Sequence, residues 1–334
     1  MGVKLISKNL QNVVSEYVSK MAEVKWMFLR SLREVGEETP LSEAEKEYAF
    51  SRLNPAHVTT KRSVDIGKYS IGASFKISMV HHILEKRQYK KFSIAPAAND
   101  KLQDARFITS LGYPVPKVFS SSATVNEALE YTGCIVKSVT GAASKGVFLN
   151  EGSTLYHFFD KKRYSKKEFV DYCGSNRINK FIVEEYVGGD EGVTDLKFYM
   201  FYGEVGAVLE VHRGSDGNRH CFYDDNSEIV NTGRYRETAF EGDGFSQGQK
   251  ECATAISASI PSPFVRVDLI SNEKGFWVGE ITAHPGGFED FNKEWDFFLG
   301  VKFIQAKARL LEDLLQGKSF SAYLGRGRRG MCDF

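Results

Sequence analysis

Apolar residues recur every three or four positions in the first part of the chain, which is the spacing of one helical face. This pattern predicts a helix over residues 10–35. A second helix is predicted over residues 42–53, because the stretch opens with a capping-box pattern and ends before a proline. A third is expected at about 77–91. Residues 1–95 are therefore predicted to form a largely helical lead-in domain, and they contain no glycine-rich nucleotide loop.

The pattern changes after residue 95, where short apolar runs alternate with polar and glycine-rich turns. An amphipathic helix is predicted at 99–111, and the turn 112–116 leads into a strand at 117–120. Further strands are predicted at 133–137, 147–149, 181–187, 195–201, 204–213, 264–270 and 275–282, and further helices at 165–180, 249–259 and 301–316. The glycine-rich stretch 214–247 carries no predicted element. The chain thus mixes helices with paired strands, including two hairpins, at 133–149 and 264–282.

Composition narrows the class of protein. Lys and Arg number 44 against 43 Asp and Glu, so the net charge is +1 and we expect no nucleic-acid partner. The 42% hydrophobic and 13% aromatic content argues against a mostly disordered chain. The 5 cysteines form no CxxC pair, and we expect reduced thiols in a cytoplasmic protein. The start has no secretory apolar region, and no run of about 18 apolar residues occurs, so we expect neither a signal peptide nor a membrane span.

Four polar residues alternate along the second predicted hairpin. Residues two apart on a strand share a face, so Arg266 and Asp268 project together, as do Glu280 and Thr282. If the strands pair, two carboxylates and an arginine gather on one surface. Carboxylates that close repel each other unless a cation lies between them, and Mg²⁺ is typically held by one or two carboxylates together with substrate phosphates. The alternative is a cross-strand salt bridge on a solvated face.

Lysines and small residues supply a second set of candidates. Lys137 ends a predicted strand just before the small-residue loop 141–146, and Lys197 lies on a later strand. The N–H groups of such a loop can approach phosphates closely, although the loop is not a Walker A motif and a plain turn is the alternative. Residues 184–187, at a strand end beside two glycines, are a candidate adenine-binding hinge, with Glu191 nearby for a ribose.

The order of these motifs over residues 97–300 resembles the ATP-grasp superfamily. Within it, the sequence is most similar to the TupA-like branch, which is named for teichuronopeptide biosynthesis. The motifs that carry the resemblance are the helix start at 99–101 with the turn 112–116, the strand 135–137 with the small-residue loop that follows it, the hinge at 183–191, the segment 195–204, and the Arg-x-Asp and Glu-x-Thr pairs.

The resemblance implies an α+β fold of the ATP-grasp type. Two α+β subdomains, residues 96–187 and 188–320, would grip ATP, between the helical region 1–95 and a flexible basic tail at 321–334. ATP and Mg²⁺, as one or two ions, are the implied cofactors. The implied ATP-binding residues are Lys101, Lys137, Ser144, Lys145, Gly146, Glu184, Glu185, Tyr186, Val187, Glu191 and Lys197. The implied metal ligands are Asp268, Glu280 and Thr282, and the implied catalytic residues are Arg266 and Lys197.

Two features depart from the family pattern. Thr282 stands where the family usually has Asn, and a hydroxyl binds Mg²⁺ more weakly than an amide carbonyl does, so a second ion is implied less strongly; His284 is a further candidate ligand. Residues 1–95 lack the βαβ pattern of the usual leading domain, which often helps to hold the acceptor substrate.

The resemblance also implies a reaction, in which a carboxylate is phosphorylated by ATP and an amine then attacks the acyl phosphate to give an amide. We therefore expect a small-molecule carboxylate and an amine as substrates, one of them a uronate or an amino acid, in cell-envelope polysaccharide or natural-product biosynthesis. Two alternatives stay open: an ATP-dependent phosphotransferase (kinase) with the same site, and a non-catalytic nucleotide-binding protein. A homodimer is also left open.

Overall fold

The computed structural model describes residues 73–88, 101–139, 146–188, 193–214 and 217–324. The helices predicted at 10–35 and 42–53, the end of the helix predicted at 77–91, and residues 325–334 lie outside these ranges. Within them, helix α1 spans Phe75–Gln88 and helix α2 spans Lys101–Ser110, close to the positions that the apolar spacing predicts.

Six strands form the first sheet, in the order β1-β6-β2-β3-β4-β5, with every neighbouring pair antiparallel. The strands are β1 Val118–Ala123, β2 Cys134–Ser138, β3 Val147–Asn150, β4 Thr154–His157, β5 Arg163–Ser165 and β6 Phe181–Glu185. The short helix α3 (Val125–Ala128) and helix α4 (Lys166–Ser175) complete this part, whose core contains Phe148, Phe169 and Phe181. The predicted hairpin at 133–149 is confirmed. Strands β4 and β5 were not predicted, because they are too short to show a clear alternation.

Helix α4 begins where the sequence predicts and ends earlier. Ser165 is its N-cap, and Glu168 completes a capping box. The prediction of a helix as far as residue 180 is wrong, because the chain turns after Ser175 and Arg177 adopts a left-handed backbone with φ 54°. Likewise β6 ends at Glu185 rather than at residue 187.

Five strands form the second sheet, in the order β11-β10-β7-β8-β9, again antiparallel throughout. The strands are β7 Thr194–Phe201, β8 Glu204–Gly214, β9 Gly217–Tyr223, β10 Val265–Asn272 and β11 Gly275–Thr282. Helices α2 and α5 (Gln247–Ala258) pack on one face, and α1 and α6 (Lys293–Leu315) pack on the other. Side chains alternate along the central strand β7, so Phe198 is buried on the face covered by α2 and α5, and Tyr199 is buried on the face covered by α1 and α6.

Three elements near the C-terminal half differ from the sequence prediction. Strand β9 lies in the stretch 214–247, whose polar and glycine-rich composition hid it. Helix α6 begins at Lys293 rather than at residue 301, because the Asn292 side chain caps it by accepting a hydrogen bond from the Trp295 N–H at 2.9 Å. Residues assigned to the tail form the short helix α7 (Ser321–Leu324), whose Tyr323 is buried against α2. None of the described helices has the length and apolar content that a membrane crossing requires.

Candidate functional site

Both sheets and helix α2 contribute side chains to a cavity of about 770 Å³, a volume within the usual range for small-molecule sites. Thirteen of the residues that the sequence singled out line this cavity: Lys101, Lys137, Gly146, Glu184, Glu185, Tyr186, Val187, Lys197, Arg266, Asp268, Glu280, Thr282 and His284. The other three, Ser144, Lys145 and Glu191, lie outside the described residues.

The charged residues of the second sheet lie at one end of a face whose other end is aromatic. Tyr199 and Phe201 of β7 are buried against the helices that cover this face. Asp195 and Lys197 share the face by alternation but line the cavity instead. The strand ladder places Asp268 of β10 directly opposite Lys197. The folding of one strand thus joins a hydrophobic core to a polar site.

The β10–β11 ladder confirms that the four alternating residues of the hairpin share a face, since Arg266 lies opposite Thr282 and Asp268 opposite Glu280. The Arg266 guanidinium donates to both Asp268 oxygens, from Nε to Oδ1 and from Nη2 to Oδ2, each at 2.6 Å. It also donates from Nη2 to Thr282 Oγ1 at 3.3 Å. Burial disfavours the Arg266 charge, but Asp268 outweighs burial and raises the pKa of Arg266. Arg266 and Asp268 therefore form a salt bridge, which the sequence analysis left open as the alternative to a metal site. This salt bridge lines the cavity.

Lys197 lies between two carboxylates. Its ammonium contacts Asp195 Oδ1 at 2.8 Å and Asp268 Oδ2 at 3.0 Å, and Arg213 Nη2 contacts Asp195 Oδ2 at 2.6 Å. Although burial opposes the charge, Asp195 and Asp268 hold the pKa of Lys197 above its ordinary value. Lys197 therefore stays charged inside the cavity.

Glu280 differs from the other acids of the cavity, because its carboxylate has no hydrogen bond or ion pair within the described residues. Burial raises the pKa of Glu280, and the facing Asp268 raises it further, against the attraction of three nearby cations. A half-buried carboxylate that faces another carboxylate without a partner of its own is a place where a cation would be stabilised.

The oxygen atoms available here suit Mg²⁺. Two carboxylates, Asp268 and Glu280, and the Thr282 hydroxyl are hard oxygen ligands of the kind that this ion prefers. No group of three or more His, Cys, Asp or Glu residues in the described ranges could hold a metal by itself. The donor set therefore fits an ion whose remaining ligands come from phosphate oxygens and water.

On the first sheet, Lys137 forms an ion pair with Glu184, and both side chains are largely buried. Lys101 of α2 donates from Nζ to the Ser138 carbonyl oxygen at 3.4 Å. Burial lowers the pKa of Lys101, and the neighbouring charge of Lys137 lowers it further. At Gly146 an added Cβ would collide with the Ser138 side chain, so the two ends of this hairpin approach closely. Two lysines thus lie together at the first-sheet side of the cavity.

The end of β6 and the residues after it contact Lys117, just before β1, and Asn272 of β10. Glu185 Oε2 accepts a hydrogen bond from the Lys117 N–H at 3.2 Å, and the Val187 carbonyl accepts one from Asn272 Nδ2 at 2.7 Å. Tyr186 lies between them and is 37% exposed, so its ring is open to the cavity and to solvent. The predicted hinge is therefore held at both ends while its middle stays accessible.

The cavity residues that the sequence analysis missed include Asp195, Arg213 and Tyr235. Asp195 could have been found, since it lies two residues before Lys197 on a predicted strand and must share its face. Arg213 was placed at the end of a predicted strand, but nothing in the sequence indicates that it pairs with Asp195. Tyr235 lies in the stretch without predicted elements, so its position depends on tertiary structure.

A family model for TupA-like ATP-grasp proteins matches residues 83–304. The chain belongs to the TupA-like ATP-grasp family. The resemblance and the α+β ATP-grasp fold expected from the motifs are therefore confirmed. No curated protein sequence matches the chain.

Solved structures resemble this chain only distantly. The ATP-grasp ligase PsnB, complexed with a phosphomimetic variant of its minimal precursor, Mg and ADP, is 15% identical with a TM-score of 0.39, and the match covers 62% of this chain and 58% of PsnB. The D-alanine–D-alanine ligase of Bacillus anthracis is 15% identical with a TM-score of 0.40, over 64% of this chain and 69% of that ligase. The macrocyclase MdnC from Microcystis aeruginosa MRC, bound to its precursor peptide MdnA, is 11% identical with a TM-score of 0.38, over 65% and 62%. This chain thus spans less than two thirds of the PsnB and MdnC chains, and none of these matches defines its activity.

Proposed function

We propose that the protein is an ATP-dependent carboxylate–amine ligase that forms an amide through an acyl-phosphate intermediate. The observation that carries the proposal is the facing pair of Asp268 and Glu280, which lies beside Arg266 and Lys197 in the cavity of an ATP-grasp family member. Two facing carboxylates next to fixed cations are suited to a metal–phosphate complex on which charge moves during reaction.

ATP would bind between the two sheets. The apolar side chains of Ile135, Ile182 and Val278 line the cavity and suit a purine base next to the hinge residues 184–187, with Glu191 near the ribose. Lys101, Lys137 and Lys197, together with the loop that contains Ser144, Lys145 and Gly146, would bind the phosphates. The support for this arrangement is that eight of the eleven ATP-binding positions implied by the sequence line a single cavity.

Asp268 and Glu280 would hold Mg²⁺, which supplies positive charge to the β- and γ-phosphates when bound. The Thr282 hydroxyl already accepts a hydrogen bond from Arg266, so its oxygen is shared between two roles. One firmly held ion is therefore favoured over two.

The remaining chemistry falls to the side chains. A carboxylate oxygen of the acid substrate attacks the γ-phosphorus, the bond to the β,γ-bridging oxygen breaks, and ADP leaves with the electron pair. Arg266 and Lys197 stabilise the negative charge that spreads over the transferring phosphoryl group. The amine nitrogen then attacks the acyl carbon, phosphate leaves, and the extra proton passes to solvent. Closure of the loop over the nucleotide would exclude water, which hydrolyses acyl phosphates.

The finer parts of the proposal concern substrates and setting. A uronate or an amino acid as one substrate, a role in polysaccharide or natural-product biosynthesis, and a cytoplasmic location all extend from the family resemblance alone. A homodimer stays a prediction on the same footing.

The test uses the purified full-length protein with Mg·ATP and a panel of carboxylic acids and amines, with ADP release and product mass measured together. A ligase produces ADP and a new amide only when both an acid and an amine are present. A stable phosphorylated acid formed without any amine would instead identify a kinase. Absence of both ADP release and any Mg·ATP-dependent thermal shift, up to millimolar nucleotide, would contradict the proposal.

A further inference from the structure

The cavity extends across the second sheet, away from Glu280, to a region that the ligase proposal leaves without a role. Arg213 of β8 and Tyr235, which follows β9, line this part of the cavity. Tyr235 packs on β9, where its ring is stacked on His220 with centroids 3.9 Å apart. Strands are spaced by roughly 4.8 Å, so β8 and β9 lie about 10–14 Å from Asp268 on β10.

Arg213 presents unused hydrogen-bond donors to this region. It donates from Nη2 to Asp195 Oδ2 at 2.6 Å, while its Nε and Nη1 groups have no acceptor within the described residues. The same Asp195 also pairs with Lys197, so one carboxylate is shared between two cations. Lys161 adds a third cation nearby, because its ammonium donates to the carbonyl of Gly214, the residue after Arg213, at 2.5 Å.

Tyr235 is held in a fixed orientation. Its hydroxyl accepts a hydrogen bond from Arg234 Nη2 at 2.9 Å, which leaves its own O–H free to donate. Its backbone is left-handed, with φ 55°, a conformation that glycine adopts without strain and that is an outlier for a bulky side chain. Such strain is typically found where a side chain is needed in one place.

Arg234 brings a buried charge to the same region. It is 8% exposed, and its acceptors within the described residues are the hydroxyls of Tyr199 and Tyr235 and the Gly286 carbonyl, none of which is charged. Aromatic rings surround the guanidinium, including Phe291 with its centroid 4.9 Å away. The Asp290 carboxylate is also near, since a Cβ added at Gly287 would lie 2.5 Å from Arg234 Nη2 and 2.9 Å from Asp290 Oδ2. Arg234 is therefore a buried cation that contacts uncharged acceptors, with one acid close by.

His220, on which the Tyr235 ring is stacked, lies near both arginines. Burial lowers the pKa of His220, and the charges of Arg234 and Arg213 lower it further. The β8–β9 side of the cavity therefore carries the cation of Arg213, whereas the β10–β11 side carries the carboxylates Asp268 and Glu280 beside Arg266.

We propose that Arg213 and Tyr235 form a subsite for a second, non-reacting carboxylate carried by one of the two substrates, on the β8–β9 side of the cavity and away from the metal-binding pair on β10 and β11. Arg213 would donate from Nε and Nη1, and Tyr235 from its hydroxyl, while Arg234 acts as a positioning residue that holds Tyr235. The planar guanidinium fork matches a carboxylate, and the small number of donors suits a monoanion better than a phosphate. This inference rests on the proposed ligase function for the identity of the reacting groups.

The test measures binding, so it does not depend on knowing the substrates. Full-length protein, with and without Mg²⁺ and a non-hydrolysable ATP analogue, is titrated by calorimetry with matched probes: D-glucuronate against D-glucose, L-glutamate against L-glutamine, and glycine against glycinamide. In each pair, the neutral probe should bind at least about tenfold more weakly than the probe with the carboxylate, which is the scale of charge-assisted hydrogen bonds. If acids without an amine are preferred, the carboxylate belongs to the acid substrate; if amino acids are preferred, it belongs to the amine.

Substitutions test whether Arg213 and Tyr235 are the residues that cause the preference for carboxylate probes. Tyr235→Phe and Arg213→Lys should each weaken the carboxylate probes by about fivefold or more, and the neutral probes should not change. Arg213→Lys keeps the charge beside Asp195, so the fold should be retained. Tyr131→Phe, which alters a tyrosine in the loop between α3 and β2 that does not line the cavity, is the matched control. For Arg234→Met, a positioning role predicts loss of carboxylate discrimination with the nucleotide-dependent thermal shift retained.

Several results would overturn the subsite. These are equal binding of the charged and neutral probes, no binding of any carboxylate probe, or carboxylate binding that falls in Arg266→Lys and not in Tyr235→Phe. The nucleotide analogue separates this failure from that of the ligase proposal. A normal nucleotide-dependent thermal shift without carboxylate selectivity removes only the subsite, whereas carboxylate selectivity without a nucleotide-dependent shift removes only the ligase.

Discussion

Replacing Glu280 by Gln should make the ligand-free protein more stable and the enzyme inactive. Asp268 and Glu280 lie directly opposite each other on paired strands, where facing Cβ atoms are about 4.5–5.5 Å apart. Two unit charges about 5 Å apart repel by roughly 3 kcal/mol at an effective dielectric constant near 20. Arg266, Lys197 and Lys101 attract Glu280 and offset part of this repulsion. A net gain of about 1–2 kcal/mol is therefore expected when the charge is removed without ligands.

Thermal unfolding measures this gain directly. In domains of roughly 150–250 residues, each 1 kcal/mol shifts Tm by about 2–4 °C, so Glu280→Gln should raise Tm by about 2–8 °C in the absence of Mg·ATP. In the wild type, ligand at 100 times its Kd should add about 2.7 kcal/mol. The variant should gain much less at the same concentration, because the ligand for the cation is lost. The order of stability of the two proteins should therefore reverse, or nearly so, when Mg·ATP is added.

Glu273→Gln is the matched control, since Glu273 is exposed in the turn between β10 and β11 of the same hairpin. Its removal should change neither Tm nor the response to Mg·ATP. The reasoning fails if Glu280→Gln retains full ADP-forming activity, or if its Tm falls without ligand while its Mg·ATP shift stays normal. Either result would make Glu280 a surface-type charge worth about 0–1 kcal/mol.

Two further predictions test the reaction centre and the fold. Arg266→Lys should lower kcat by about 10²-fold with little change in the KM for ATP, because an ammonium cannot reproduce the two-pronged contact of the guanidinium; weak ATP binding with an intact kcat would place Arg266 in the nucleotide grip instead. Gly300→Ala should cost about 1–3 kcal/mol in urea unfolding, since the added Cβ would collide with the Ser74 backbone where α1 packs on α6. Gly174→Ala, which faces open space on α4, should instead stabilise by up to about 1 kcal/mol, and stabilisation at both positions would contradict that packing.

Sequence patterns predict the arrangement of this site well where the residues concerned are close together along the chain. Strand alternation placed Arg266 with Asp268 and Glu280 with Thr282, and the hairpin then brought the two pairs together. Helix α2 and the two predicted hairpins followed from apolar spacing and turns in the same way. Periodicity works here because each of these elements is settled by contacts between near neighbours.

Partnerships between distant segments could not be predicted. Lys137 was expected to be available for phosphates, and the structure pairs it with Glu184, which neighbours it only because β2 lies beside β6. Arg213 pairs with Asp195 across β8 and β7. Such contacts depend on strand order, and strand order is a property of the whole sheet that no short window of sequence contains.

The departure from hydrophobic patterning is itself informative about the site. Along one face of β7 the sequence places Tyr199 and Phe201 in a core, so continued aromatic residues would be the stable choice at positions 195 and 197. Asp195 and Lys197 stand there instead, and they form a largely buried network with Asp268, which also pairs with Arg266. Replacing buried ion pairs by apolar residues is often neutral or stabilising, so folding alone does not explain them. Because local rules break most often where a ligand must be held, this charged end of the sheet is better explained by binding than by stability.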